Sequence, residues 1–305
     1  MATSDPTEIE FASEGEQLAA LLYLPEGDGP HACVVMAGGW CYVKELVQPK
    51  FARVFTEHGL AALIFDYRCM GASSGDPRQH IDPWAQIEDY RNAISFVERL
   101  DAIDGDRIAA WGISYSGGHV LILGAIDPRV RVACGVVPVI DGYENMRLAH
   151  GTLGLRRLKA ALLEARRKLH ATGEQTYLPH QPADDTELAT WPYPQSRLTF
   201  SRLKETQAPA YEGRSTAQST ELLMSYSVMP FLKRLTGTPT LMIVAEGDDH
   251  THWELATDAY AAIPGPQKRF EIVRRSTHLT FYEDDDTVRS VAAIAAGWFT
   301  EHLGA

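Results

Sequence analysis

Short uninterrupted apolar runs recur along the chain, separated by longer stretches in which apolar residues return every three or four positions. Cys33-Val34-Val35-Met36-Ala37, Leu60-Ala61-Ala62-Leu63-Ile64-Phe65, Ile108-Ala109-Ala110-Trp111, Val130 to Val137, Thr240 to Ala245 and Phe270 to Val273 are such runs. A strand that is apolar throughout must be covered on both faces, so these read as a mainly parallel α/β sheet. The intervening stretches, through Phe51 to Phe55, Trp84 to Leu100, His119 to Leu123, Trp253 to Ile263 and Asp286 to Leu303, read as its covering helices. Ile9 to Leu24 differs, with two extended runs flanking the polar turn Ser13-Glu14-Gly15-Glu16, which predicts a hairpin.

The alternation breaks after Val139 and resumes at Thr240. Between about Tyr143 and Leu235 only helical and loop signals occur, which predicts a first core segment 1–141, a helical lid insertion 142–236 and a second core segment 237–305. Leu155, Leu158, Leu162 and Leu169 form a stripe at helical spacing, suited either to packing within the lid or to a homodimer contact. The surrounding Arg156, Arg157, Lys159, Arg166, Arg167 and Lys168 read as a solvated face. Tyr177-Leu178-Pro179 and Trp191-Pro192-Tyr193-Pro194 cannot belong to a long helix, and either line a pocket or cover a satellite core.

The formal net charge of −12 over 305 residues argues against nucleic acid or an anionic membrane as partner and leaves a small-molecule substrate. No apolar run is long enough to span a bilayer, and Met1 to Glu8 lack the basic start and apolar core of a signal peptide, so a cytoplasmic location is expected. Cys33, Cys41, Cys69 and Cys134 are scattered, without a C-x-x-C pair, so no disulfide framework or zinc site is expected. Cys41, close to the segment described next, invites a reactive-thiol reading. No cofactor is expected.

Chemistry enters at Trp111-Gly112-Ile113-Ser114-Tyr115-Ser116-Gly117-Gly118, where a buried strand turns directly into a helix. Such an elbow presents one side chain at the top of the sheet and aims the first helical N–H groups at the same point. Ser114 is the expected nucleophile, with Gly112 before it; Ser116 occupies the place of the usual second glycine and is the weaker alternative nucleophile. A serine needs a base, and the base an orienting group. Of 11 histidines, His278 has the right place, after the last strand and before the final helix. Asp248 follows the Thr240 strand and is the expected acid, with Asp249 and Asp141 as rivals. Asp248, Asp249, His250 and His252 also allow a metal-ligand reading, which their spacing disfavours. The oxyanion donors are expected from Tyr115 N–H and, after Gly38-Gly39, from Trp40 N–H.

In these residues the chain resembles the alpha/beta hydrolase superfamily over nearly its whole length. Ala37-Gly38-Gly39-Trp40 with Lys44-Glu45, Phe65-Asp66-Tyr67-Arg68 through Gly75, and Gly112 to Gly118 are similar to the dienelactone-hydrolase and Xaa-Pro-peptidase-like branch, which includes fungal polyketide transferases. The resemblance implies the alpha/beta hydrolase fold and a mainly structural role for Asp66-Tyr67-Arg68. It departs from the family at Gly38-Gly39, where His-Gly is common, and at Ser116. Together these readings predict a serine hydrolase that cleaves a small ester, thioester or lactone through an acyl-enzyme. Transfer of the acyl group to an alcohol or amine, carbon–carbon or amide cleavage, and a non-catalytic binding protein on the same scaffold are the alternatives.

Overall fold

The computed structural model describes residues 5–304; Met1 to Ser4, part of the segment read for a signal peptide, and Ala305 lie outside them. The expected hairpin forms from β1 (Thr7–Ser13) and β2 (Glu16–Tyr23). There follow β3 (His31–Ala37), α1 (Gln48–Glu57), β4 (Ala61–Phe65), α2 (Pro83–Val97), β5 (Ile103–Ile113), α3 (Tyr115–Ile126) and β6 (Val130–Val136). After the intervening segment come β9 (Thr240–Ala245), α8 (Trp253–Ala262), β10 (Lys268–Val273), the short α9 (Thr280–Glu283) and α10 (Asp285–Leu303). The intervening segment itself holds α4 (Gly142–Thr172), β7 (Tyr177–Pro179), α5 (Pro194–Thr206), β8 (Arg214–Thr216), α6 (Ala217–Leu223) and α7 (Met229–Leu232).

Eight strands form one sheet in the order β1-β2-β4-β3-β5-β6-β9-β10. Pairing is parallel from β4 onward, while β2 runs antiparallel to both β1 and β4. The central strands β4 and β9 are buried at every position, as their unbroken apolar sequences require. Helices α1 and α10 pack together on one face, and α2 and α3 pack together against the other strands' surface, so the sheet is covered on both sides. The edge strand β10 alternates exposed and half-buried residues instead. Among the described residues no helix is long and apolar enough to cross a membrane.

The segment between β6 and β9 corrects one expectation. It is not wholly helical: β7 and β8 pair antiparallel, with Tyr177 opposite Thr216. Three-residue strands broken by Pro179 carry too little periodicity to be distinguished from loop. The long α4 also contains a break at Gly151, whose φ of 61° and ψ of −179° no helix accommodates. Beyond that break Leu155, Leu158 and Leu162 are buried, and α4 packs on α6, so the leucine stripe serves packing within the chain.

Candidate active site

At the end of β5 the backbone turns into α3 through Ser114, held at φ 59° and ψ −115°. A non-glycine residue in this region costs on the order of 1–3 kcal/mol and persists only where its surroundings fix it. Here Ser114 N–H donates to Val136 O at 2.9 Å, and Val139 N–H donates to Ser114 O at 3.0 Å, tying both backbone groups to the end of β6. Gly112 is required by the same turn, because a Cβ there would fall 2.3 Å from Ser116 O. Ser116, the departure from the usual motif, is wholly buried; its hydroxyl accepts from Ile113 N–H at 2.8 Å and reaches Ala37 O at 2.7 Å. Ser116 therefore fastens the elbow to the end of β3, whereas the Ser114 side chain faces a pocket.

The loop after β3 passes against this elbow. A Cβ on Gly39 would lie 2.9 Å from Ser114 Cβ and 3.2 Å from Ile113 O, so the backbone approaches closely only because residue 39 has no side chain. Trp40 follows, its indole edge-on to the Tyr115 ring at 5.1 Å. Tyr115 N–H opens α3, where first-turn N–H groups have no intrahelical acceptor. Tyr90 secures the other side of the same strand end, accepting from Ala37 N–H at 2.9 Å and donating to Trp111 O at 2.8 Å.

Asp248 stands three residues beyond β9, and His278 five residues beyond β10, at the same edge of the sheet. Their side chains meet: His278 Nδ1 lies 2.9 Å from Asp248 Oδ2. Asp248 also accepts from the N–H groups of His250 and Thr251, each at 2.9 Å, and from the Thr251 hydroxyl at 2.7 Å. Burial alone would raise the Asp248 pKa, but the charge and hydrogen bond of His278 and the Thr251 N–H outweigh it and hold the carboxyl down to about 2. The rivals are placed elsewhere. Asp141 caps α4 by accepting from Glu144 N–H at 2.9 Å, and exposed Asp249 holds His250 Nδ1 at 2.6 Å.

Ser114, Trp40 and His278 line one narrow pocket. Tyr42, His180, Trp191, Phe200 and His250 complete it. Of the aromatic run, Trp191 both lines the pocket and packs in the buried core, while Tyr193 stacks on His250 at 4.2 Å. His250 in turn stacks on His278 at 4.9 Å, with their planes 6° apart, and its Nε2 lies 2.7 Å from Ser196 Oγ at the start of α5. Burial pushes the His250 and His180 pKa values down, so both rings enter the pocket as neutral hydrogen-bonding groups.

Two residues that sequence reasoning did not find stand against the serine and the histidine. Tyr282 Oη lies 3.3 Å from His278 Nε2, and the ring of Tyr42 meets that of Tyr282 edge-on at 5.7 Å. The spacing of Tyr282, four residues after His278, was the available signal, since four residues bring side chains together where the chain coils. The metal reading finds three groups within 4.8 Å, Asp248, Asp249 and His250, but their donor atoms are already engaged by His278, Thr251, Ser196 and one another. Cys41 is buried and its thiol pKa pushed well up by that burial, which removes the reactive-thiol reading. Asp66 accepts from Lys44 N–H at 2.6 Å and Ala72 N–H at 2.9 Å, and Arg68 bonds Asp89, so that run braces loops.

A parallel sheet with the serine elbow, the loop after β3 and the acid and imidazole at one edge defines the class, and the chain belongs to the alpha/beta hydrolase family, whose profile matches residues 29–291. It is similar to the thiohydrolase aneE of Aspergillus aculeatus, with 31% identity over 89% of this chain and 86% of that protein. It is also similar to the polyketide transferase af380 of Aspergillus fumigatus, with 26% identity over 89% of this chain and 90% of that protein. Among solved structures, DcsB in complex with its substrate analogue superposes with a TM-score of 0.85 and 24% identity, covering 98% of this chain and 100% of that one.

Proposed function

We propose that this protein is a serine hydrolase of small acyl thioesters or esters, working through an acyl-enzyme on Ser114. The observation that carries the reading is the meeting of the Asp248–His278 pair and Ser114 at one narrow, largely aromatic pocket. Asp248 fixes the tautomer of His278 with Nδ1 protonated, leaving Nε2 to take the Ser114 proton and later return it to the leaving group. Ser114 attacks the acyl carbon, and the N–H groups of Trp40 and Tyr115 receive the developing oxyanion. The segment 142–236 acts as the lid, contributing His180, Trp191 and Phe200 to the pocket. The thiohydrolase relative favours a thioester over an oxygen ester or lactone as the bond cleaved.

Acyl transfer to an alcohol or amine is the second reading. It is favoured by the polyketide transferase relative and by the burial of Ser114, which is only 5% exposed beneath apolar rings that restrict water. The two are separated by product analysis of a model thioester with and without added acceptors. For the serine itself, Ser114→Ala is expected to lower turnover on the order of a thousandfold or more. A fluorophosphonate should label the Ser114 peptide and no other, as read by peptide mass spectrometry; full activity in Ser114→Ala, or labelling at Ser116, refutes the assignment.

A further inference from the structure

We propose that His180 selects the acyl group, its Nε2 accepting a hydrogen bond from a hydroxyl carried on the acyl chain; the proposal rests on the serine-hydrolase reading above. His180 lines the same pocket as Ser114 and is only 5% exposed. Its Nδ1 lies 2.6 Å from Tyr211 Oη, whereas its Nε2 has no hydrogen-bond partner among the described residues. A buried polar atom left unpaired costs stability, so one held at a ligand pocket marks a place where the ligand supplies the partner. Tyr211 fixes which kind of partner that is. Its phenol has one proton, which it donates to Gln181 Oε1 at 3.4 Å. It therefore accepts from His180, so Nδ1 carries the imidazole proton and Nε2 offers a lone pair.

The ring is fixed in this pose. His180 follows β7 directly; its N–H donates to Gly213 O at 2.7 Å, and its O accepts from Trp191 N–H at 3.0 Å. The imidazole packs 5.0 Å from Phe200, 6.1 Å from Tyr211 and 6.2 Å from Tyr42. Aromatic rings make up most of the remaining wall, and His250 Nε2 is already taken by Ser196. A lone acceptor in such surroundings rewards a donor and leaves an apolar chain with an unpaired nitrogen beside it. Among the described residues His180 makes no ring contact with His278, which meets His250 and Tyr282 instead. The attacking water or alcohol must stand against His278, so the group that reaches His180 belongs to the acyl chain. An oxo group brings no proton to donate, and an amino group enters charged, which a buried aromatic pocket disfavours. The substrate class that remains is a hydroxyacyl thioester or ester.

Straight-chain acyl thioesters of one length, each carrying a single hydroxyl at a successive carbon, test this against their unsubstituted and oxo counterparts. In unmodified protein one hydroxyl position should raise kcat/KM on the order of tenfold over the unsubstituted chain, and the oxo group at that carbon should not. In His180→Phe, which keeps a ring among its aromatic neighbours, the hydroxy-to-unsubstituted ratio should fall to about one. His180→Asn, whose amide takes the place of Nδ1 and has no counterpart of Nε2, should lose the ratio as well. The ratio is the readout because a merely structural defect slows every chain alike. A flat series in unmodified protein overturns the proposal and needs no variant to fold. An oxo chain preferred over its hydroxy counterpart, or the ratio retained in either folded variant, also overturns it. Ser114→Ala, run alongside, separates the two claims. A flat series whose turnover vanishes in Ser114→Ala refutes the His180 assignment alone, whereas turnover that persists in Ser114→Ala refutes the serine reading beneath it.

Discussion

The hydroxyl of Ser116 does what a second glycine could not. It occupies buried space beneath the elbow, takes the Ile113 N–H and binds Ala37 O, so the turn bearing Ser114 and the strand leading to Trp40 share one fastener. Ser116→Gly restores the common motif on paper yet leaves buried backbone groups without this partner. It is expected to destabilise the fold by about 1–3 kcal/mol, read as a lower denaturation midpoint; a variant more stable than the parent would show that crowding, not hydrogen bonding, dominates there. Ser114, Asp248 and His278 were legible in the sequence because each stands at the carboxyl end of an apolar run, where a parallel sheet gathers its loops. Asp248 and Asp249 are adjacent in a turn and point in different directions, so sequence position alone does not decide between them; it is the Asp248 carboxylate that reaches His278. Tyr42 and Tyr282 are not legible as a pair in the sequence: their meeting depends on how the loop after β3 packs against α9.

Element by element, the sheet was readable because strands buried on both faces carry unbroken apolar runs, and its covering helices because they carry one apolar face. The segment 142–236 was read less well for a physical reason. Its short strands and proline-rich stretches are fixed by tertiary contact, as at Trp191, which is buried in the pocket wall, and Tyr193, which is stacked on His250. Trp191 is a buried member of the core and also lines the pocket, so its side chain bears on the shape of the acyl site. Trp191→Leu is expected to change KM several-fold for bulky aromatic acyl groups while sparing kcat for acetyl thioesters, as a panel of acyl chain lengths would reveal. Equal changes across the panel would place acyl recognition elsewhere.

At the scale of the whole molecule, burial lowers the pKa of six histidines, His80, His119, His150, His180, His250 and His252, that of His119 to about 3. A histidine whose pKa is lower in the folded than in the unfolded chain binds fewer protons when folded. Its stabilising contribution is complete above the unfolded value of about 6.5 and is lost as pH falls from there toward the folded value. All six act in the same direction, so Tm should decline as pH is lowered from about 7 to about 5.5; a flat or rising Tm in scanning calorimetry contradicts this. Asp248 acts in a separate window, its contribution present above about pH 4 and lost as pH approaches its folded value of about 2. The stack of Tyr193, His250 and His278 bears on engineering as well. The segment 142–236 leaves and rejoins the sheet at neighbouring strands, which invites its replacement as a cassette to transplant a new acyl preference. Yet Asn145 holds His250 O, Tyr193 covers the His250 ring and Ser196 bonds its Nε2, so three residues of the cassette grip the loop that carries Asp248. A graft that omits them would exchange the specificity and unseat the acid together, and a working chimera must carry positions 145, 193 and 196 across unchanged.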